Sequence, residues 1–143
     1  MVIYHKINVL QIMAQVTAVN GKENYLIEIS SPTGNKVTAD EPLDKGGRNK
    51  GFSPKELLAS ALAACTSATV RMFAARKEWE LRDVKINIEL LEEDGKTTFR
   101  RTIKFEGNLD NAQQQRLFMV ANACPVHKIL TNNIVVDSTM KRG

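Results

Sequence analysis

The sequence predicts a mixed chain whose strands and helices fall in separate blocks: a β-rich first third, a central helix, a hairpin, a second helical region and a last strand. Three observations carry this expectation. Ser53, Pro54 and Glu56 precede a long apolar run with the spacing of a capped helix start. The stretch VKINIELLEEDGKTTFRRTIKFEG alternates on both sides of an Asp-Gly pair, a hairpin signal. Turn residues punctuate short alternating segments near the N-terminus.

A chain of 143 residues is most simply one domain, large enough for a core without disulfides or metal. The net charge of +4 is mild, and basic residues interleave with acidic ones, so they read as a solvated surface and not as a nucleic-acid site. The apolar run Leu57 to Val70 contains Ser and Thr and falls short of the roughly 20 residues of a membrane span. The opening MVIYHKINVLQIMAQ lacks a basic flank and a small-residue cleavage site, so no signal peptide is expected and the location is read as cytoplasmic. Met13 opens a natural start, which makes residues 1–12 either an extension of a domain spanning 13–143 or an extra edge strand or arm.

The elements follow in order. Gln15–Val19 alternates weakly, Tyr25–Ile29 more clearly, and SPTGN separates the latter from Lys36–Ala39. A charged, Gly-rich loop, DEPLDKGGRNKG, leads to the central helix. There Leu57, Leu58, Ala61, Leu62, Cys65, Ala68, Thr69, Met72 and Phe73 form an apolar surface wider than one stripe, which predicts burial on several sides. The small residues Ala59, Ser60, Ala63, Ala64 and Ser67 leave room for another helix, including one from a second subunit. In the hairpin, Val84, Ile86, Ile88 and Leu90 share one face of the first arm. Phe99, Ile103 and Phe105 share one face of the second. Asp110 and Gln113 predict a second helix start, carrying Leu117, Val120 and Ala121 inward and ending near Ala123. Cys124 precedes Pro125 where a new short helix would begin, and Ile134–Val136 reads as the last strand.

The two cysteines occupy unlike settings. A thiol at a helix start gains from the dipole and from free N–H groups, which makes Cys124 the better thiolate. Cys65, in mid-helix among alanines, reads either as a small core hydrophobe or as a thiol that needs a cation from elsewhere. Lys45, Arg48 and Lys50 in the upstream loop are the candidates.

The segments GFSPKELLASALAACT at Gly51–Thr66 and ACPVHKIL at Ala123–Leu130, with the loop DEPLDKGGRNKG and the Asp-Gly hairpin, make the chain resemble the OsmC/Ohr family of osmotically inducible and organic hydroperoxide resistance proteins. The resemblance runs from about Met13 to the end. It implies an α+β fold with curved antiparallel sheets around two central helices, in an intertwined homodimer with active sites at the subunit interface. It implies a thiol-dependent peroxidase with no cofactor, acting on organic hydroperoxides and reset by an external thiol. Cys65 is then the peroxidatic residue, Cys124 the resolving one, and Arg48 the activating arginine of the OsmC branch, with Lys45 behind it.

Departures from the family pattern are specific. Active members carry a glutamate directly after the proline of the helix start, where this chain has Lys55. Glu56 lies nine residues before Cys65, a rotation of about 900° that ends on the opposite side of a straight helix; it reads as a cap. The first loop, VNGKENY, offers Lys22 and no arginine. These differences raise an alternative, a non-catalytic dimer that binds an apolar ligand or responds to redox state. His127 falls three residues after Cys124, on the same face of a short helix. The Cys-x-x-His pair lacks the second pair of a closed zinc site, so no metal is expected.

Overall fold

The computed structural model describes residues 10–143. Of the expected extension 1–12, residues 1–9 lie outside the described residues, and 10–12 are exposed and irregular. The chain divides into two compact units, the first ending at Pro54 and the second running from Lys55 to Gly143.

In the first unit, β1 (Thr17–Asn20), β2 (Ile27–Ser30) and β3 (Lys36–Ala39) form an antiparallel sheet in sequence order. The expected strands are present, with β1 and β2 each shifted by one or two residues along the chain. The SPTGN turn closes through a bond from the Asn35 N–H to the Ser31 hydroxyl at 3.1 Å. The charged loop is organised by Asp40, which is buried. Its carboxylate accepts from the N–H groups of Glu41 at 2.8 Å, Arg48 at 3.2 Å and Lys50 at 3.1 Å. Burial works against the charge, but these donors and the Lys50 ammonium hold the Asp40 carboxyl below its ordinary value.

The second unit is built on α1 (Pro54–Arg76), which begins directly after Ser53. Leu62, Thr66, Val70 and Ala74 are its buried residues. Their fourfold spacing is one stripe, narrower than the burial on several sides expected from composition. Leu58 and Met72 lie outside it and are exposed, because a single chain lays only one covering surface on this helix. At 23 residues α1 is long and apolar enough to cross a membrane by length and composition, which corrects the shorter span read from the sequence. Here Val70 and Ala74 pack with Leu81, Leu117 and Ala121 as a core, flanked by Phe73, Trp79, Val84, Ile103, Phe105 and Leu109.

The hairpin pairs β4 (Glu80–Glu93) with β5 (Lys96–Asn108). Asp94 and Gly95 form its two-residue turn, with φ of 50° and 76°. Both angles are positive, as a type I′ turn requires, and Asp-Gly tolerates them. At the open end the ladder is shifted between Leu81 and Asp83, leaving Arg82 as the extra residue of a bulge. Gly107 faces that bulge with φ of 150°, and a Cβ there would meet the Glu80 carbonyl oxygen at 2.0 Å. The bulge turns carbonyls out of the ladder, and the Arg71 guanidinium of α1 satisfies those of Leu81 and Arg82, the latter at 2.9 Å. The hairpin is thereby pinned on α1 in a defined register, with Val84 opposite Phe105, Ile86 opposite Ile103, Ile88 opposite Arg101 and Leu90 opposite Phe99.

Helix α2 (Asn111–Ala121) starts with the expected capping box: Asp110 accepts from the Gln113 N–H at 2.8 Å, and the Asp110 N–H donates to Gln113 Oε1 at 2.9 Å. Helix α3 (Pro125–Leu130) has Cys124 at its N-cap position and Pro125 in its first turn. The last expected strand does not form. Ile134, Val135 and Val136 are 60–86% exposed, and among the described residues no neighbouring edge offers them a ladder.

Candidate functional site

The second unit brings Cys65 and Cys124 together. Cys65 is half-buried in mid-α1, and Cys124 is fully buried where α3 begins. Both are free thiols, near enough that each shifts the titration of the other. Burial pushes the Cys65 thiol up, and the bond to Cys124 and its charge push it further; the Val126 N–H and the Thr69 hydroxyl work the other way without prevailing. Burial also acts to raise Cys124. There it is outweighed by hydrogen bonds from the Cys65 thiol, the N–H groups of His127 and Val126, and the Thr66 hydroxyl, so the Cys124 thiol titrates below its ordinary value. Of the two thiols, Cys124 is thus the more readily ionised and Cys65 the less. Two coupled thiols of this kind titrate as a unit.

A cation bonded to Thr66, the residue after Cys65, is one that the sequence reading passed over. Arg101 of β5 donates through Nη1 to the Thr66 hydroxyl at 2.9 Å and to the Ala121 carbonyl at 3.4 Å. Its Nη2 lies 2.9 Å from Asn122 Oδ1 and 3.4 Å from His127 Nδ1. One guanidinium thus joins β5 to α1, to the end of α2 and to α3. A guanidinium has only donors, so in this bond Nδ1 of His127 is the acceptor. The signal for Arg101 was in the alternation: Phe99, Ile103 and Phe105 define the inward face of β5, and Arg101 occupies the same phase. A charge at an inward position calls for buried partners.

A cavity of about 530 Å³ opens on the same network. Leu62, Phe99, Phe118 and Leu130 give it apolar walls, and Arg101 and His127 give it polar ones. Leu62 is three residues before Cys65 on α1.

The remaining expected site residues belong to the loop and the helix start. Arg48 lies in the first unit, its backbone N–H held by Asp40. Lys45 ends a short 3₁₀ turn, Leu43–Lys45. Lys55 is exposed in the first turn of α1, and Glu56 lies in that same turn. Among the described residues no three His, Cys, Asp or Glu side chains gather as a metal site.

Comparison with known proteins places the architecture. The family described as OsmC-like protein matches residues 47–139. Comparison with curated proteins finds no match. Among solved structures, an OsmC-like protein from Mycoplasma pneumoniae superposes with a TM-score of 0.69 at 23% identity, over 85% of this chain and 89% of that one. An organic hydroperoxide resistance protein OsmC from Legionella pneumophila gives 0.61 at 21% identity, over 87% and 93%. The organic hydroperoxide resistance protein OhrB of Bacillus subtilis gives 0.59 at 25% identity, over 85% and 93%. With its α+β architecture, its antiparallel sheets and a family match over most of its length, this chain belongs to the OsmC-like protein family.

Proposed function

We propose that the protein is a thiol-dependent peroxidase that reduces organic hydroperoxides through Cys65 and Cys124. The observation that carries this reading is the coupling of two free thiols from distant parts of the chain. Named relatives in Legionella pneumophila and Bacillus subtilis are organic hydroperoxide resistance proteins, which supports it.

With one of its two thiols ionised, the pair suits a peroxide reduction that balances internally. The Cys65 proton passes to Cys124. The Cys65 thiolate attacks the terminal peroxide oxygen; the O–O bond breaks, and Cys65 becomes a sulfenic acid. The departing alkoxide takes the proton from Cys124 and leaves as the alcohol. The Cys124 thiolate then attacks the Cys65 sulfur, forming the disulfide and releasing hydroxide, which takes a solvent proton to become water. An external dithiol reduces the disulfide. Arg48 is assigned the role that the family resemblance implies, holding the peroxide oxygen against the attacking sulfur. Apolar cavity walls favour a bulky hydroperoxide over hydrogen peroxide. The wide apolar surface left on α1, with Leu58 and Met72 exposed, supports a homodimer, and the reading places the enzyme in the cytoplasm with a dithiol reductant as partner.

Lys55, at the position of the family's acid, favours a second reading: a non-catalytic dimer that binds an apolar ligand or responds to redox state. Stopped-flow consumption of cumene hydroperoxide against hydrogen peroxide, with a dithiol reductant, separates the two. Fast, selective turnover that vanishes in Cys65→Ser is expected of the peroxidase. Slow, unselective consumption unchanged in Cys65→Ser would leave the binding protein.

A further inference from the structure

Arg101 is half-buried, and among the described residues no carboxylate pairs with it. Its acceptors are all uncharged. The Thr66 hydroxyl and Asn122 Oδ1 lie at 2.9 Å, the Ala121 carbonyl and His127 Nδ1 at 3.4 Å. The two longer contacts are weak ones. The Nε–H finds no acceptor among the described residues, where no unpaired side-chain nitrogen is sealed from solvent, so that donor is open to an incoming group. A charge drawn partly out of water and bonded to dipoles alone lacks its usual compensation, an anion.

The cavity of about 530 Å³ that Arg101 lines is matched to an anion with an apolar body. None of its described lining residues is acidic, and Lys96 and His127 add basic groups to Arg101. Its volume lies within the range of small-molecule sites, roughly 300–1,000 Å³. Strand β5 sets the layout. Lys96, exposed at the hairpin turn, is five residues before Arg101, about 16 Å along an extended strand, and Phe99 stands between the two cations.

We propose that this cavity binds an apolar carboxylate, with its carboxyl group on the Nε–H edge of Arg101 and its body against Leu62, Phe99 and Phe118. A monoanion suits the site, because four of the five guanidinium N–H groups already have acceptors. Two leucines and two phenylalanines make walls that take an alkyl chain or an aryl ring. The hydroperoxide proposed above would occupy the same cavity. An anionic group on the ligand is the added requirement, and binding is measured without peroxide so that either can fail alone.

Isothermal titration calorimetry of the full, reduced protein compares octanoate and naphthoate with octanol and naphthol. Each carboxylate should bind about tenfold more tightly than its alcohol, the scale of a hydrogen bond to a charged group. Amide shifts of Thr97, Phe99 and Arg101 in a heteronuclear NMR spectrum place the ligand. Arg101→Met should cost the carboxylates that tenfold and leave the alcohols unchanged. Arg101→Lys should recover part of the loss, since an ammonium keeps the charge without the fork. Lys96→Met should cost less, and its effect should fade with added salt because Lys96 is exposed. Phe118→Ala, at a ring already half exposed, should weaken carboxylates and alcohols alike.

Alcohols that bind as tightly as the carboxylates, or carboxylates that bind folded Arg101→Met as tightly as the wild type, overturn the proposal. Arg101 also ties Thr66 to Ala121 and Asn122, so its removal carries a structural cost. Should Arg101→Met not fold, the carboxylate–alcohol comparison in the wild type, with the amide shifts, decides. No saturable binding at millimolar concentration, or shifts outside the cavity, also overturns it; protection of the cavity amides from exchange in the free protein would then name a second copy of this chain as the occupant. Carboxylate binding in a protein that consumes no hydroperoxide leaves the site standing and removes the peroxidase.

Discussion

Cys65 and Cys124 shift each other's titration in opposite directions, Cys65 up and Cys124 down, and so couple the middle of α1 to the N-cap of α3. The two thiols are thus neighbours before any oxidant arrives. A hydroperoxide added to the reduced protein should consume both free thiols and give an intramolecular disulfide. Thiol titration together with intact mass, a loss of two hydrogens with no added oxygen, checks this. In Cys124→Ser the same treatment should add one oxygen to Cys65 and stop after a single round; repeated turnover there would show that Cys124 does not resolve.

The opposed shifts of the two thiols predict opposite responses to pH. Because Cys124 titrates below its ordinary value, thiolate absorbance of the protein should begin to rise at a pH lower than for a free cysteine, near 8.5. The first thiolate to form should be that of Cys124, which is why the rise should persist in Cys65→Ser. Cys124→Ala removes both the bond and the charge that push Cys65 up, so the Cys65 midpoint should fall relative to the wild type, though burial still opposes ionisation. Thiolate absorbance of the two single-cysteine variants across a pH series measures both. A Cys65 midpoint that rises in this variant would contradict the assigned proton.

Asp40 makes the loop carrying Arg48 sensitive to acid. Its folded-state midpoint is depressed, so its contribution is fully present above the unfolded value, about 3.9, and is lost as pH falls through the folded midpoint. Asp40→Asn should speed amide exchange at Arg48 and Lys50 at neutral pH, whose N–H groups donate to the carboxylate. The wild type should approach that behaviour only at strongly acid pH. Hydrogen exchange at the two amides reads the effect directly.

Leu117 is wholly buried in the core shared by α1, α2 and the hairpin. Leu117→Ala should destabilise the protein by about 2–5 kcal/mol, the range for a large-to-small change in a packed core. Asp110→Ala, at the start of the same helix, should cost only about 1 kcal/mol, since it removes a cap and leaves the core filled. Urea unfolding followed by circular dichroism compares them; similar losses would mean that the core does not dominate α2 docking.

The elements legible in the sequence were those with a local cause. The Asp110–Gln113 capping box, the Asp94-Gly95 turn and the start of α1 after Ser53 each depend on a few neighbouring residues, and each lies where those residues put it. The short helix behind Cys124 was legible for the same reason, through Pro125. What stayed hidden depends on partners remote in the chain. Ile134–Val136 has strand composition but no edge to join among the described residues. The breadth of apolar surface on α1 overstated its burial, because composition does not tell how many sides a single chain can cover. Of the candidate site, the two sulfurs were visible as residue types in unlike settings. Arg101 was not, because its place beside Thr66 follows from the pairing of β4 with β5 and from the way Arg71 anchors the bulge.

Those pairing rules let the tip of the hairpin decide which side chain of β5 meets Thr66, one residue along α1 from Cys65. Side chains on a strand switch faces with every residue, so inserting or deleting one position at Asp94-Gly95 would shift β5 by a step against β4. Arg101 would then point to solvent, and Thr102 or Arg100 would be presented to Thr66 in its place. Loop length at that exposed corner, tolerant as such corners usually are of insertions, here sets which residue ties β5 to the helix that carries Cys65.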